Sequence, residues 1–153
     1  DGPLVTLTGV GGVGKTRLAI EVARRMEEHF SDGVVICELA PLNRSDAVGH
    51  AIAATLGVQQ QQGLDIDESL IAYLRSREIL LVVDNCEHVV DATAKVLERI
   101  IQHCPKVSVL ATSRQALAIE GERIEVVRPL PIEDATRLFA DRARASRPNF
   151  DLK

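Results

Sequence analysis

The sequence predicts an α/β domain built on an open, mostly parallel sheet with helices on both faces. Three observations carry that expectation. Leu4–Thr8 and Ile79–Val83 are short apolar runs, and Ile79–Val83 lacks the alternation of a half-buried strand. Segments with a helical period separate the strand-like runs, so strands and helices alternate along the chain. A glycine-rich loop also joins the first strand directly to the first helix.

Leu4–Thr8 reads as a buried strand that ends in glycines. From Lys15 to Phe30 the period changes. Leu18, Val22, Met26 and Phe30 fall four apart with Ala19 and Ala23 beside them, while Glu21, Arg24, Arg25, Glu27 and Glu28 take the other faces. Gly33 resets the chain before a second strand at Val34–Leu39. Ser45 can cap a helix that runs to about Leu56 and stops at Gly57. Gln59–Gln62 is a polar run expected to form a mobile loop. Asp65 or Asp67 can cap the next helix, which carries Leu70, Ile71 and Leu74.

Ile79–Val83 forms a third strand that delivers Asp84. Val89, Thr93, Val96, Leu97, Ile100 and Ile101 mark a further helix ended by Pro105. Val107–Ala111 is a fourth strand, and Arg123–Val127 alternates as an edge strand would. Glu133–Ala145 reads as a last helix, and Pro129 and Pro131 open a connection toward something further. Asp1 stands almost at the start of a strand, so residues 1–153 are expected to be one domain cut from a larger protein.

Composition removes several function classes. The net charge of −4 argues against direct contact between this segment and nucleic acid. With 3% aromatic residues and no Trp, a base-stacking platform is not expected. Cys37, Cys86 and Cys104 are odd in number and widely spaced, which speaks for reduced thiols in the cytoplasm rather than zinc or disulfides. No apolar run approaches the roughly 18 residues of a membrane span, and no signal peptide is visible.

Residues 9–16 read GVGGVGKT and satisfy G-x-x-x-x-G-K-[ST], after an apolar strand and before an amphipathic helix. Glycines let backbone N–H groups turn inward around phosphate oxygens, and the helix N-terminus adds partial positive charge there. Gly9, Val10, Gly11, Gly12, Val13, Gly14, Lys15, Thr16 and Arg17 are therefore the expected nucleotide-contacting stretch. Lys15 would reach the β- and γ-phosphates, and the Thr16 hydroxyl would be a Mg²⁺ ligand.

Asp84 leaves the C-terminal end of a buried strand, where α/β folds bind ligands, and can hold Mg²⁺ through the metal's water shell. Asn85 stands where many ATPases carry a second acid. Glu87, two residues on, can supply that carboxylate, and His88 is also near. The alternative is that Glu87 and His88 simply begin the following helix. Thr112, Ser113 and Arg114 follow the fourth strand directly. A guanidinium at a phosphate rim can distinguish ATP from ADP. The alternative is a helix cap by Ser113 with a solvated Arg114.

Together, TLTGVGGVGKT, LLVVDNCEHV and VLATSR resemble the STAND class of signal-transducing ATPases, which includes NB-ARC domains. The nearest likeness is to the ATPase core of bacterial transcription regulators of the LuxR and antibiotic-regulator types. The resemblance implies a three-layer P-loop NTPase with a five-stranded sheet in the order 5-1-4-3-2. It also implies that Thr112 and Arg114 form a nucleotide-sensing motif. Lys15, Asp84, Glu87 and Arg114 become the catalytic candidates. The family uses ATP/ADP exchange and slow hydrolysis as a switch: closed with ADP, open and self-associating with ATP. Residues 129–153 resemble the start of the family's link to a helical subdomain.

Two departures matter. Asn85 replaces the second acid of the apoptotic and plant members, and residues 1–153 do not include the family's closing subdomains. A nucleotide-dependent scaffold with little turnover is thus a second expectation. A small-molecule kinase is a third, disfavoured by the lack of an arginine-rich lid.

Overall fold

A computed structural model describes residues 3–128 together with Arg137 and Ala140. The expected helix over 133–145 and the link over 129–153 otherwise lie outside the described residues. In chain order the elements are β1 (Leu4–Thr8), α1 (Lys15–Met26), β2 (Val34–Glu38), α2 (Val48–Leu56), α3 (Ile66–Leu74), β3 (Leu80–Asp84), α4 (Val90–His103), β4 (Ser108–Ser113) and β5 (Glu122–Val126). The sheet order is β2-β3-β4-β1-β5, and every pairing is parallel. This is the expected order read from the other edge.

The sheet is covered on both sides, which is why its interior strand β3 carries no alternation. All five residues of β3 are buried. Leu81 and Val83 point into the larger core, where Val109 and Ala111 of β4 meet Ile52 of α2, Leu70 and Leu74 of α3, and Leu97 and Ile100 of α4. Leu80 and Val82 point to the other face, where they join Leu7, Leu110 and the alanines Ala19 and Ala23 of α1. Each fully buried Leu or Val contributes roughly 1.5–3 kcal/mol of transfer free energy.

Helix α1 differs from the expected reading. Its sheet-facing seam is Ala19 and Ala23, at 1% and 3% exposure, while Leu18 and Met26 remain 41% and 36% exposed. Small side chains let the helix lie close to the sheet, so the four-spaced row Leu18–Val22–Met26 turns toward the flank. The regular helix also stops at Met26, and a 3-10 turn at Glu27–His29 completes the segment.

Ser45 caps nothing. It begins a 3-10 turn, and α2 starts at Val48 with no side-chain cap. Gly57 closes α2 in the left-handed region, its N–H bonding to Ala53 O and Ala54 O. Of the two candidate aspartates, Asp65 caps α3, accepting the Glu68 N–H at 2.7 Å. The glutamine run is stitched down at two points: Gln60 Nε2 donates to Leu64 O, and the Gln61 N–H to Ser69 Oγ.

Strand β4 runs two residues further than expected because its pairing with β1 continues to Thr8↔Ser113. Strand β5 is an exposed edge, with Ile124 at 48% and Val126 at 64%. No helix among the described residues is long and apolar enough to cross a membrane.

Candidate functional site

The glycine loop leaves β1 at Thr8 and enters α1 at Lys15. Gly9, Gly12 and Gly14 all have positive φ, at 154°, 79° and 102°. A Cβ on Gly9 would stand 2.6 Å from Val127 O, so only glycine fits there. Helix α1 has no side-chain cap and no acid in its first turn. Its leading N–H groups are therefore free to meet an anion.

Lys15 is 7% exposed, yet its ammonium faces no carboxylate among the described residues. Nζ donates instead to Gly9 O at 2.7 Å and Val10 O at 2.9 Å. A buried ammonium that meets its own loop's carbonyls and no carboxylate among the described residues is left for an incoming anion to pair.

Asp84 is 4% exposed at the end of β3. Its carboxylate accepts from Thr16 Oγ1, at 2.9 and 3.0 Å to its two oxygens, and from Thr112 Oγ1. Thr112 is 1% exposed, and its hydroxyl also accepts the Asn85 N–H at 2.9 Å. Thr112 thus sits behind Asp84 and anchors it, rather than on the wall of the cleft. A hydroxyl beside a carboxylate is a hard-oxygen pair of the kind Mg²⁺ takes, so the side chains present fit that ion.

Asn85 adopts the left-handed conformation, φ 62° and ψ 56°, which Asn tolerates better than most residues. The turn sends Cys86 inward and Glu87 outward. Cys86 is fully buried, and its thiol is pushed far up from its ordinary value by desolvation first and by the Glu87 and Asp84 carboxylates next. Glu87 and His88 do not begin a regular helix. They lie in a 3-10 turn ahead of α4.

Glu87 lines the main cleft, with Oε1 3.9 Å from Arg114 Nε. Its Oε2 is buried without a hydrogen-bond partner among the described residues. His88 turns elsewhere: Nε2 lies 3.0 Å from Leu39 O at the end of β2. It lines a separate cleft with Asp91 and Lys95.

Arg114 follows β4 directly. Its Nη2 lies 2.7 Å from where a Cβ on Gly11 would stand, so the guanidinium rests on the loop. Ser113 caps no helix; it is buried in β4, and its hydroxyl accepts the Gln115 N–H at 3.3 Å.

The main cleft has a volume of about 740 Å³ and brings together Gly11, Gly12, Gly14, Lys15, Thr16, Arg17, Glu87 and Arg114. That volume suits a nucleotide-sized ligand. Gly9 and Val10 line a smaller adjoining cleft with Gly11, Gly12 and Arg114. Val13 lines neither, and one of its methyl groups lies 3.1 Å from the Cβ position of Gly9. Sequence reasoning missed Ile20, Glu21 and Arg24, which line the main cleft from α1. With Arg17 they share one helix face by three- and four-residue spacing, a signal present in the sequence.

The NB-ARC domain family matches residues 1–147. An uncharacterized protein of Mycobacterium tuberculosis is 38% identical over 153 residues, covering 99% of this chain and 39% of its own length. A second protein of that organism is named as a candidate HTH-type transcriptional regulator. It is 41% identical over 150 residues, covering 97% of this chain and 17% of its own length. The chain therefore spans well under half of the curated relatives it matches.

Among solved structures, Cdc6p from Pyrobaculum aerophilum superposes with a TM-score of 0.70 at 20% identity, over 94% of this chain and 43% of that one. A Signal Transduction ATPase with Numerous Domains from Pyrococcus horikoshii, with a tetratricopeptide repeat sensor, gives 0.56 at 17% identity, over 99% and 24%. These likenesses show the fold of a P-loop NTPase. With that fold, a glycine loop ending in Lys15 and Thr16, and a family match over nearly the whole chain, the protein belongs to the NB-ARC domain family.

Proposed function

We propose that this domain binds ATP and ADP with Mg²⁺, and by slow hydrolysis acts as the switch of a larger signalling or transcription regulator. One observation carries the reading. A buried, carboxylate-free Lys15 at an uncapped helix start lies beside the Thr16–Asp84 oxygen pair, inside a cleft rimmed by Arg114. Phosphate is the chemistry that this charge pattern fits.

The chain's own groups have separable tasks. The loop N–H groups and the Lys15 ammonium bind phosphate oxygens, and Arg17 extends the positive wall. The Thr16 hydroxyl and the Asp84 carboxylate would hold Mg²⁺, with Thr112 fixing the carboxylate. Mg²⁺, when bound, supplies the charge that neutralises the phosphate oxygens. The Glu87 carboxylate orients a water and accepts its proton, and Arg114 faces the terminal phosphate.

The names of the regulatory relatives support a place in a multidomain protein that acts in the cytoplasm. The partners on this reading are adenine nucleotide, the parent protein's other domains and a second copy of the protein in the ATP state. Nucleic acid would be contacted elsewhere in the parent.

A second reading is an interaction scaffold with little turnover. Asn85 in place of a second acid favours it, as does the engagement of Glu87 by Arg114. Calorimetry tests the nucleotide claim: Lys15→Ala should weaken both ATP and ADP, and unchanged affinity for both would overturn it. Single-turnover hydrolysis by the full-length protein separates the two readings. A large loss in Glu87→Gln supports the enzyme, whereas no measurable turnover in either form supports the scaffold.

A further inference from the structure

The two side chains assigned separate tasks above touch each other. Glu87 Oε1 lies 3.9 Å from Arg114 Nε, and these are ionic partners across the mouth of the cleft. The pair is lopsided: Glu87 is 20% exposed and Arg114 66%. At 3.9 Å the contact is too long for a good charge-assisted hydrogen bond. Glu87 Oε2 is buried with no partner among the described residues, so the carboxylate is poorly served for a group so far from water. Arg114 meanwhile lies against Gly11 of the phosphate loop, where a Cβ would meet its Nη2 at 2.7 Å.

We propose that Arg114 and Glu87 form a latch that opens only to a terminal phosphate, and that Glu87 thereby sets how strongly the site prefers ATP to ADP. The proposal rests on the nucleotide reading above. Without a γ-phosphate, the only anion within reach of Arg114 among the described residues is Glu87. A γ-phosphate carries more charge and stands in front of the loop that Arg114 already covers. It draws the guanidinium off the carboxylate. Two results follow from one movement: Arg114 gains its phosphate contact, and Glu87 loses the cation that held its electron pair, becoming available to water. ADP leaves the latch shut. The carboxylate thus competes with ATP for Arg114, and the water-activating group stays masked until the triphosphate is in place.

A binding cycle tests this without relying on turnover. The protein is titrated with ADP and with a non-hydrolysable ATP analogue, both with Mg²⁺, as wild type, Glu87→Gln, Arg114→Ala and the double variant. Glu87→Gln should tighten the analogue by about two- to fivefold, the size of a half-exposed ion pair, and leave ADP unchanged. In the Arg114→Ala background the same change should do nothing, because the competitor has no one to hold. Equal tightening in both backgrounds would mean simple repulsion between Glu87 and phosphate, and would overturn the latch. So would an unchanged analogue affinity in Glu87→Gln. The parent reading fails differently: it is lost if Lys15→Ala binds both nucleotides as well as wild type.

Discussion

Replacing Thr112 by valine keeps the shape of the side chain and deletes only its hydroxyl. That hydroxyl donates to Asp84 and accepts the Asn85 N–H, at a site only 1% exposed. Water cannot replace either bond without displacing core atoms. A hydrogen bond to a charged group is worth about 1.5–3 kcal/mol, and a buried N–H left unpaired costs about 1–3 kcal/mol. The two losses share one site and do not add fully, so Thr112→Val should destabilise the domain by about 2–4 kcal/mol. For a domain of this size each kcal/mol moves the melting temperature by roughly 2–4 °C, so the midpoint should fall by about 4–16 °C. Thr112→Ser retains the hydroxyl and should recover most of the loss. Thr112→Val should also weaken Mg²⁺-dependent nucleotide binding, because Asp84 loses its back support, while metal-free ADP binding stays within about twofold (an order-of-magnitude bound). Thermal and urea unfolding, with titrations in Mg²⁺ and in EDTA, make the measurement. A loss under about 0.5 kcal/mol, the range of an ordinary surface substitution, would refute the anchoring role.

Asp84→Ala should harm Mg²⁺-dependent binding far more than binding in EDTA, and equal losses under both conditions would make Asp84 structural. The three thiols give a prediction in pH. Burial raises Cys37, Cys86 and Cys104 above their ordinary value, so the folded state holds them neutral. Stability from these groups is fully present below the unfolded value of about 8.5, and is lost as pH rises from there toward the folded values. Urea midpoints should therefore fall between about pH 8.5 and 10.5, and a Cys86→Ala variant should fall less steeply. A flat midpoint over that range would show the thiols to be more accessible than their burial implies.

The parallel α/β order was legible because both of its signals are local. Unbroken apolar runs such as LLVV mark covered strands, and the glycine loop marks one strand-to-helix junction. The positions of the glycine loop, Asp84 and Arg114 were legible for the same reason: each sits at a strand end that the pattern reveals. What hid from the sequence depends on direction rather than position. Thr112 lies within β4 and Arg114 just beyond its end, two residues on, and one points behind Asp84 while the other lies over Gly11. Nothing in TSR announces which. The left-handed turn at Asn85 is equally silent, although it decides that Cys86 goes into the core and Glu87 into the cleft. On α1, an equal spacing of large apolar residues outweighed two alanines in the sequence reading. In the fold, closeness to the sheet favours the alanines.

The strand that carries the chain out of the sheet is sewn to the root of the phosphate loop. The Val127 N–H donates to Thr8 O at 2.7 Å, and Val127 O occupies the space that a side chain at Gly9 would need. Loop and exit are one joint, a single peptide thick. Neither half can shift by an ångström without displacing the other, because a carbonyl on one side fills the missing side chain on the other. A substitution that moves the backbone at Val127 is therefore felt at Gly9, the first residue of the glycine loop.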